Sequence, residues 1–425
     1  MATLLPDYRC HPKLREPLTV RVDSIEGETV LILECPLGIT PRPLCLNPAV
    51  LPILRLFTGE YSVSTIQEKL APHGCTIELI HQLTALLDDH LLLKSPRYEQ
   101  AQQEVKNAFL QAPIRQPALA GLTYPTDSCQ LEAEVRTYLE MATLPPEISA
   151  LSSLPLRCLV TPHIDYRRGG SCYGKAFQTL LTAQPEIIFL LGTSHQWSES
   201  LFLLTKKHFQ TPLGVVNTDH RIVDAIAHHY GQTRAFQDEF LHKREHSLEL
   251  QLPFIQYLAP NARIVPILVG SFHTMITSGR YPNEFEEYTT FVESLTHVIE
   301  AEELTFNKRC LFLAGVDMAH IGSHFGDERE INDEWMNEVH SKDVEYLTAA
   351  RELDSYRIFD HIAADQDARR ICGFPTMITL ADLFHRLQLP LQAYEVDYQQ
   401  AVNREHGCAV TFGSIAYYGS SLIAS

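Results

Sequence analysis

The sequence predicts an α/β protein, a largely parallel sheet flanked by helices, preceded by a small winged-helix-like domain. Three observations point there. From about Ala118 onward, apolar runs of strand length alternate with amphipathic helical stretches, the pattern of strands joined by crossover helices. The first 95 residues read differently, as short helices flanked by short strands. Finally, histidine-bearing motifs follow directly on apolar strands at three separate places, at the edge where open α/β sheets bind ligands.

In the N-terminal region, Leu18–Val22 and Thr29–Leu33 read as strands. Asn47, a capping residue followed by Pro48, opens a helix that runs through Leu51, Ile53, Leu54 and Phe57 and is stopped by Gly59. A second helix spans Ser64–Leu70. A third spans Ile77–Asp89, with Leu79, Leu83, Leu86 and Leu87 on one face, and Leu91–Leu93 closes the region as a strand. Between Ser95 and Pro117 the composition turns to Gln, Arg and Pro, with a helix at Ala101–Leu110. This sets a domain at 1–95, a linker at 96–117 and an α/β domain at 118–425.

In the α/β region the expected strands are Leu156–Val160, Glu186–Leu191, Arg263–Val269, Cys310–Val316, Gln392–Asp397 and Ala409–Tyr417, with a hairpin from Leu201–Lys206 and Gly214–Asn217. Helices are expected at Tyr173–Gln184, His220–Tyr230, Asn283–Glu303, Asp327–Ala350 and Gly373–Leu387. Glu245–Leu258 fits a helix through Leu248, Leu252, Ile255 and Leu258, while Leu248, Leu250 and Leu252 also alternate as a strand would.

Composition narrows the function. With 425 residues, 45% hydrophobic and 20% charged, the chain can bury cores for two or three domains. Its 34 basic against 52 acidic residues leave a formal charge of −18, which argues against nucleic acid as a partner. Ten cysteines without a CxxC pair suit free thiols in a reducing compartment. No stretch reaches the roughly 20 apolar residues of a membrane span, and the N-terminus lacks the apolar core of a signal peptide. The expectation is a soluble, cytoplasmic protein with no membrane contact.

The chemistry gathers on Pro162-His163, Ser194-His195 and Asp317-Met318-Ala319-His320. Any one histidine could simply hydrogen-bond in its loop, but three strands delivering such groups to one rim point to a shared site. Two imidazoles plus one anionic ligand form a three-ligand centre with open positions for non-heme iron, copper or zinc. His163 and His195 are the first pair. The third ligand is Asp317, His320 or the thiolate of Cys372, which lies beside Arg369 and Arg370 at a helix start, where a thiolate is stabilised. Asp317 and His320 could instead act as a proton-moving pair, the carboxylate orienting the imidazole.

Glu245-His246-Ser247-Leu248-Glu249 reads as a helix-capping arrangement whose Glu245 and His246 could line the site; it lacks the HExxH spacing of a zinc protease. Gly169, Gly170 and Gly174 suit close packing or a tight turn before a helix, and Asp165 to Arg168 read as a polar loop. Ser194 has no GxSxG context.

In this order the segments resemble the Memo family, known in bacteria and archaea as AmmeMemoRadiSam system protein B. Pro162-His163-Ile164-Asp165-Tyr166 resembles its PHAGY segment, Leu191-Gly192-Thr193-Ser194-His195 its LGPSH, and Glu245 to Phe254 its EHSIEMQLPY. Val265 to Gly270, Val316 to Gly322 and Cys372-Gly373 are similar to VPILVG, SDFSHWG and the start of CGRHP. The resemblance spans about residues 118–420. It implies a fold similar to the class III extradiol dioxygenases, with iron (alternatively copper or zinc) held by His163, His195 and Cys372, and with Asp317 and His320 lining the pocket. It also implies an oxidoreductase acting on an unknown small molecule or peptide, partnered by radical SAM and AMMECR-like proteins of the same system. Memo-like proteins have also been read as peptide-binding adaptors. Two departures stand out: Asp165 replaces the glycine of PHAGY, and Phe374-Pro375 stands where Arg-His-Pro is usual. The N-terminal region resembles PqqD-like domains on Leu46-Asn47-Pro48, Leu56 to Glu60 and Ser64-Thr65-Ile66, which implies peptide binding by strand addition.

Overall fold

The computed structural model describes residues 7–419 apart from 26, 41, 150, 152, 153 and 305–309. The chain divides into two compact units, one up to Ala112 and one from Pro113; the division falls inside the 96–117 segment.

In the first unit β1 (Thr19–Ile25), β2 (Glu28–Glu34) and β3 (Leu44–Leu46) form an antiparallel sheet in that order. Asn47 caps as its sequence suggests, accepting the Ala49 N–H at 2.9 Å. The helix it opens is shorter than expected, a 3-10 turn at Pro48–Val50 and an α-helix at Leu51–Leu54. Ser62 and Thr76 cap the helices Val63–Leu70 and Ile77–Asp89. The buried stripe of the latter is Ile80, Leu83 and Leu87, while Leu79 and Leu86 are exposed. Burial follows the i, i+3, i+7 rows rather than the leucines alone. Leu91–Leu93 is not a strand: Leu91 takes a left-handed φ of 56°, and a single bridge from Leu93 to Leu14 remains. The helix expected at Ala101–Leu110 spans Pro96–Gln111 and is capped by Ser95.

The second unit contributes β4 (Ile114–Arg115), β5 (Leu156–Thr161), β6 (Ile187–Thr193), β7 (Phe202–Leu204), β8 (His208–Thr211), β9 (Gly214–Val216), β10 (Arg263–Val269), β11 (Cys310–Gly315), β12 (His320–Ile321), β13 (Leu391–Asn403) and β14 (Cys408–Gly419). Among the described residues an eight-stranded sheet runs β12-β14-β5-β11-β6-β10-β7, with β13 paired to β14. Its centre, β5-β11-β6-β10, is parallel, and β7 and β14 flank it antiparallel. The sheet is therefore mixed, parallel where the site lies. The expected hairpin does not form. Phe202–Leu204 joins the main sheet beside β10, and Gly214–Val216 pairs instead with His208–Thr211 in a small sheet with β4.

Alternation along the strands explains the two cores. Phe189, Leu191, Val265, Ile267, Phe312 and Ala314 face a layer that includes the helices His220–Tyr230, Glu286–Ala301 and Phe374–Arg386. Ile188, Leu190, Ile264, Leu268, Leu311 and Leu313 face the opposite layer, with Ser128–Met141, Tyr166–Gln178 and Leu252–Leu258. Successive side chains point to opposite faces, and both faces are covered, so these strands read as continuous apolar runs. The 245–258 stretch resolves as two short helices, His246–Glu249 and Leu252–Leu258.

The glycines of the 169–174 stretch lie inside the helix Tyr166–Gln178 rather than before it. A Cβ at Gly174 would come within 2.1 Å of the Tyr138 carbonyl oxygen, so close helix packing is their role. No described helix is long and apolar enough to cross a membrane. No disulfide joins cysteines among the described residues.

Candidate metal centre

The site is set by strand register. Gly315 of β11 lies opposite Thr161 on one side and Gly192 on the other. His163, Asp317 and His195 each follow the end of their strand by two residues, so the sheet alone brings them to one edge. The rings of His163 and His195 stand 4.9 Å apart. His246 completes the group, 5.1 Å from His163 and 4.5 Å from His195. One ligand-capable nitrogen from each of the three lies within 4.8 Å of the others.

Each of the first two rings is oriented from behind. His163, 2% exposed, holds its Nδ1 2.9 Å from the Gly315 carbonyl oxygen. A carbonyl can only accept, so Nδ1 carries the proton and Nε2 offers its lone pair. His195 Nδ1 lies 2.9 Å from Glu245 Oε1, and Glu245 Oε2 accepts the His195 main-chain N–H at 2.9 Å. Glu245 also caps its own helix, accepting the N–H groups of His246 and Ser247. Desolvation would raise the Glu245 carboxyl, but the His195 ring holds it well below the usual range. Conversely, desolvation opposes charge on His195, yet Glu245 holds that imidazole well above its ordinary value. His246 and His163 are pushed down by burial and by their neighbouring rings, His246 to about 4.

Cys372 joins the group, its Sγ 3.2 Å from His163 Nε2. The expectation that adjacent arginines stabilise its thiolate is not met. Arg369 pairs with Asp343 and Asp365, and Arg370 pairs with Asp327. Burial pushes the Cys372 thiol up, against the lowering effect of His195. Asp317, 2% exposed, turns to His163 rather than to His320: its Oδ1 accepts the His163 and Ile164 N–H groups at 2.8 and 3.3 Å. Burial lifts its carboxyl to about 7, with those N–H bonds pulling the other way. His320 is oriented by carbonyls, Met318 O at 3.0 Å and Arg370 O at 3.1 Å from Nδ1, which leaves Nε2 as its acceptor. Burial brings it to about 4.

His163, His195, His246, Asp317 and His320 line one cavity of about 440 Å³, with Leu119, Ile164, Arg168, Leu250, Phe325 and Val410 among its other walls. Asp165 to Arg168 are not a loop: Asp165 caps the helix, and Tyr166 is buried. Small residues let the carrier helix approach the strands. A Cβ at Gly192 would lie 2.4 Å from Ser247 Oγ, and one at Gly315 would lie 2.3 Å from the Ser247 carbonyl oxygen. Ser247 Oγ donates to Thr193 O at 2.9 Å, and Gln251 Nε2 to Pro162 O at 2.9 Å.

Behind that helix lies a buried network that joins Glu249 of the Glu245–Glu249 motif to Arg115, which no motif announces. Arg115, fully buried, pairs with Glu249 and donates to the carbonyls of His242 and Glu245 at 3.0 and 2.9 Å. Glu249 also accepts the Ala118 and Leu119 N–H groups and the Tyr124 hydroxyl.

A family model described as Memo-like protein matches residues 115–416. The chain belongs to the Memo family. A MEMO1 family protein of Aquifex aeolicus is 23% identical over 390 residues, covering 91% of this chain and 96% of that protein. The second unit is shorter than that span, so the likeness runs into the N-terminal unit. A MEMO1 family protein of Thermococcus onnurineus is 28% identical over 314 residues, 72% of this chain and 99% of the relative. In Caenorhabditis elegans a protein memo-1 homolog is 27% identical over 280 residues, 64% of this chain and 71% of its own length. Memo likeness thus spans the α/β unit in which the histidines meet.

Proposed function

We propose that this chain binds a redox metal, iron with copper as the alternative, and acts as a non-heme oxidoreductase on a small molecule, as its resemblance to class III extradiol dioxygenases implies. His163, His195 and Cys372 are the ligands, with His246 beside them. The observation that carries this reading is the convergence of three imidazoles within 4.8 Å of one another, with the Cys372 sulfur 3.2 Å from one of them. The donor set fits the group: His163 and His195 each engage Nδ1 with an acceptor and present Nε2, the orientation metal-binding histidines adopt. Bound there, the ion would supply Lewis-acid and electron-transfer chemistry.

The chain's own residues do the rest. Gly315 and Glu245 fix the ring tautomers, and Asp317 braces the His163 main chain. His320, neutral near pH 7, accepts a proton at Nε2. The partners on this reading are a small molecule or peptide and the radical SAM and AMMECR-like proteins of the same system. The test is metal content after anaerobic purification. Stoichiometric iron or copper in the native chain, lost in both His163→Ala and Cys372→Ser, is the expected result; metal retained in both variants sinks the reading. Zinc that restores hydrolysis of an ester panel would make the centre hydrolytic instead.

A second reading, a peptide-binding adaptor, draws support from the first unit. Strand β1 is an outer strand whose Val20, Val22 and Ile25 are exposed, an edge suited to strand addition as the PqqD-like resemblance implies. Peptide binding that persists unchanged in the two metal-site variants supports it.

A further inference from the structure

We propose that Arg168 anchors a carboxylate, so that the pocket takes a small organic acid whose apolar body lies against Leu119, Ile164, Leu250, Phe325 and Val410. This rests on the reading of the cavity as the substrate site. Arg168 stands in the first turn of the helix Tyr166–Gln178, five residues after His163, and lines the same cavity. Asp165 holds it from one side: Oδ1 accepts the Arg168 main-chain N–H at 3.2 Å, and Oδ2 accepts Nε at 2.5 Å. With Nε pinned, the outer edge formed by Nη1 and Nη2 is directed by that bond, and Cys408, another cavity residue, lies beside the guanidinium. The field of Arg168 also reaches Asp317 and His320 across the cavity.

The charges facing it favour a singly charged ligand. Asp317 spends Oδ1 on two main-chain N–H groups, and His320 turns its Nδ1 to the Met318 and Arg370 carbonyls. His195 is matched by Glu245. Apart from the metal and the histidines, Arg168 is the cationic side chain among the described lining residues, already partly balanced by Asp165. A planar guanidinium presenting two parallel N–H groups matches the fork of a carboxylate. A phosphate dianion would need more positive charge than this one guanidinium offers. The apolar walls and the volume of about 440 Å³ suit a compact body.

The test uses the metal-loaded full-length chain, titrated calorimetrically with benzoate, hexanoate, benzamide and inorganic phosphate. At least one of the two acids is expected to bind saturably, benzamide and phosphate much more weakly. Arg168→Gln should weaken acid binding about ten- to a hundredfold, and Arg168→Lys should restore part of it. The side chain is 44% exposed, so neither variant threatens folding, and the metal content should match the native chain. Acid binding that is equal in Arg168→Gln, matched by benzamide, exceeded by phosphate, or absent for both acids overturns the proposal. If His163→Ala loses no metal while acid binding still depends on Arg168, the metal reading fails and this one stands.

Discussion

The two sides of the centre are held by different means. His163 and His195 extend from β5 and β6, the two strands that flank β11 in the parallel array, and main-chain register places them. Cys372 arrives on a loop in which Gln366, Asp367 and Arg370 all take left-handed backbone, with φ of 53°, 56° and 52°. Such residues cost of order 1–3 kcal/mol each, so the loop needs fasteners. Asp367 accepts the Ile371 N–H at 2.8 Å, Arg370 pairs with Asp327, and Thr193 Oγ1 donates to the Cys372 carbonyl at 2.9 Å. The contrast teaches that a sheet positions side chains through its main chain, whereas a loop does so through individual side-chain bonds that can be removed one at a time.

That contrast can be broken or sharpened. On the rigid side, Arg115→Met leaves Glu249 buried without its partner and should cost about 3–5 kcal/mol in chemical denaturation; a loss under about 1 kcal/mol would mean the helix carrying Glu245 and His246 stands without that support. Gly315→Ala forces a Cβ against the Ser247 carbonyl and should cost about 1–3 kcal/mol, with metal affinity falling alongside stability. Glu245→Gln should weaken metal binding roughly 10–100-fold by freeing the His195 ring, read by competition with a chelator. On the loop side, Asp327→Asn removes a partly exposed pair and should cost no more than about 1 kcal/mol. Gln366→Gly, at an exposed left-handed position, should change stability least, by under about 1 kcal/mol in the favourable direction. A loop variant that costs more than Gly315→Ala would reverse the comparison.

The same contrast explains what could be read in advance. The strands Arg263–Val269 and Cys310–Gly315 were legible because apolar runs buried on both faces have no competing pattern. His163, His195 and Asp317 were legible because they follow such runs directly. His246 was readable as a pocket residue but not as part of the tight imidazole group, since its place depends on how closely the helix meets Gly192 and Gly315. The bracing of His163 by Asp317 crosses from one strand end to another, and spacing within a motif cannot reveal it. The helices Ser128–Met141 and Ser355–Ala363 went unread although Leu131, Val135 and Leu139 in the first, and Ile358 and Ile362 in the second, recur at helical spacing. Arg115 had no signal, because a lone arginine before a strand-helix domain looks like any surface residue.

That arginine bears on where the molecule can be cut. Pro113 to Tyr124 supplies Arg115, the two main-chain donors to Glu249 and the Tyr124 hydroxyl. A fragment trimmed to start at residue 118 would keep the histidines and the cysteine of the centre yet leave the buried Glu249 without its cation. Anyone wishing to prepare the α/β unit alone should begin at or before Pro113.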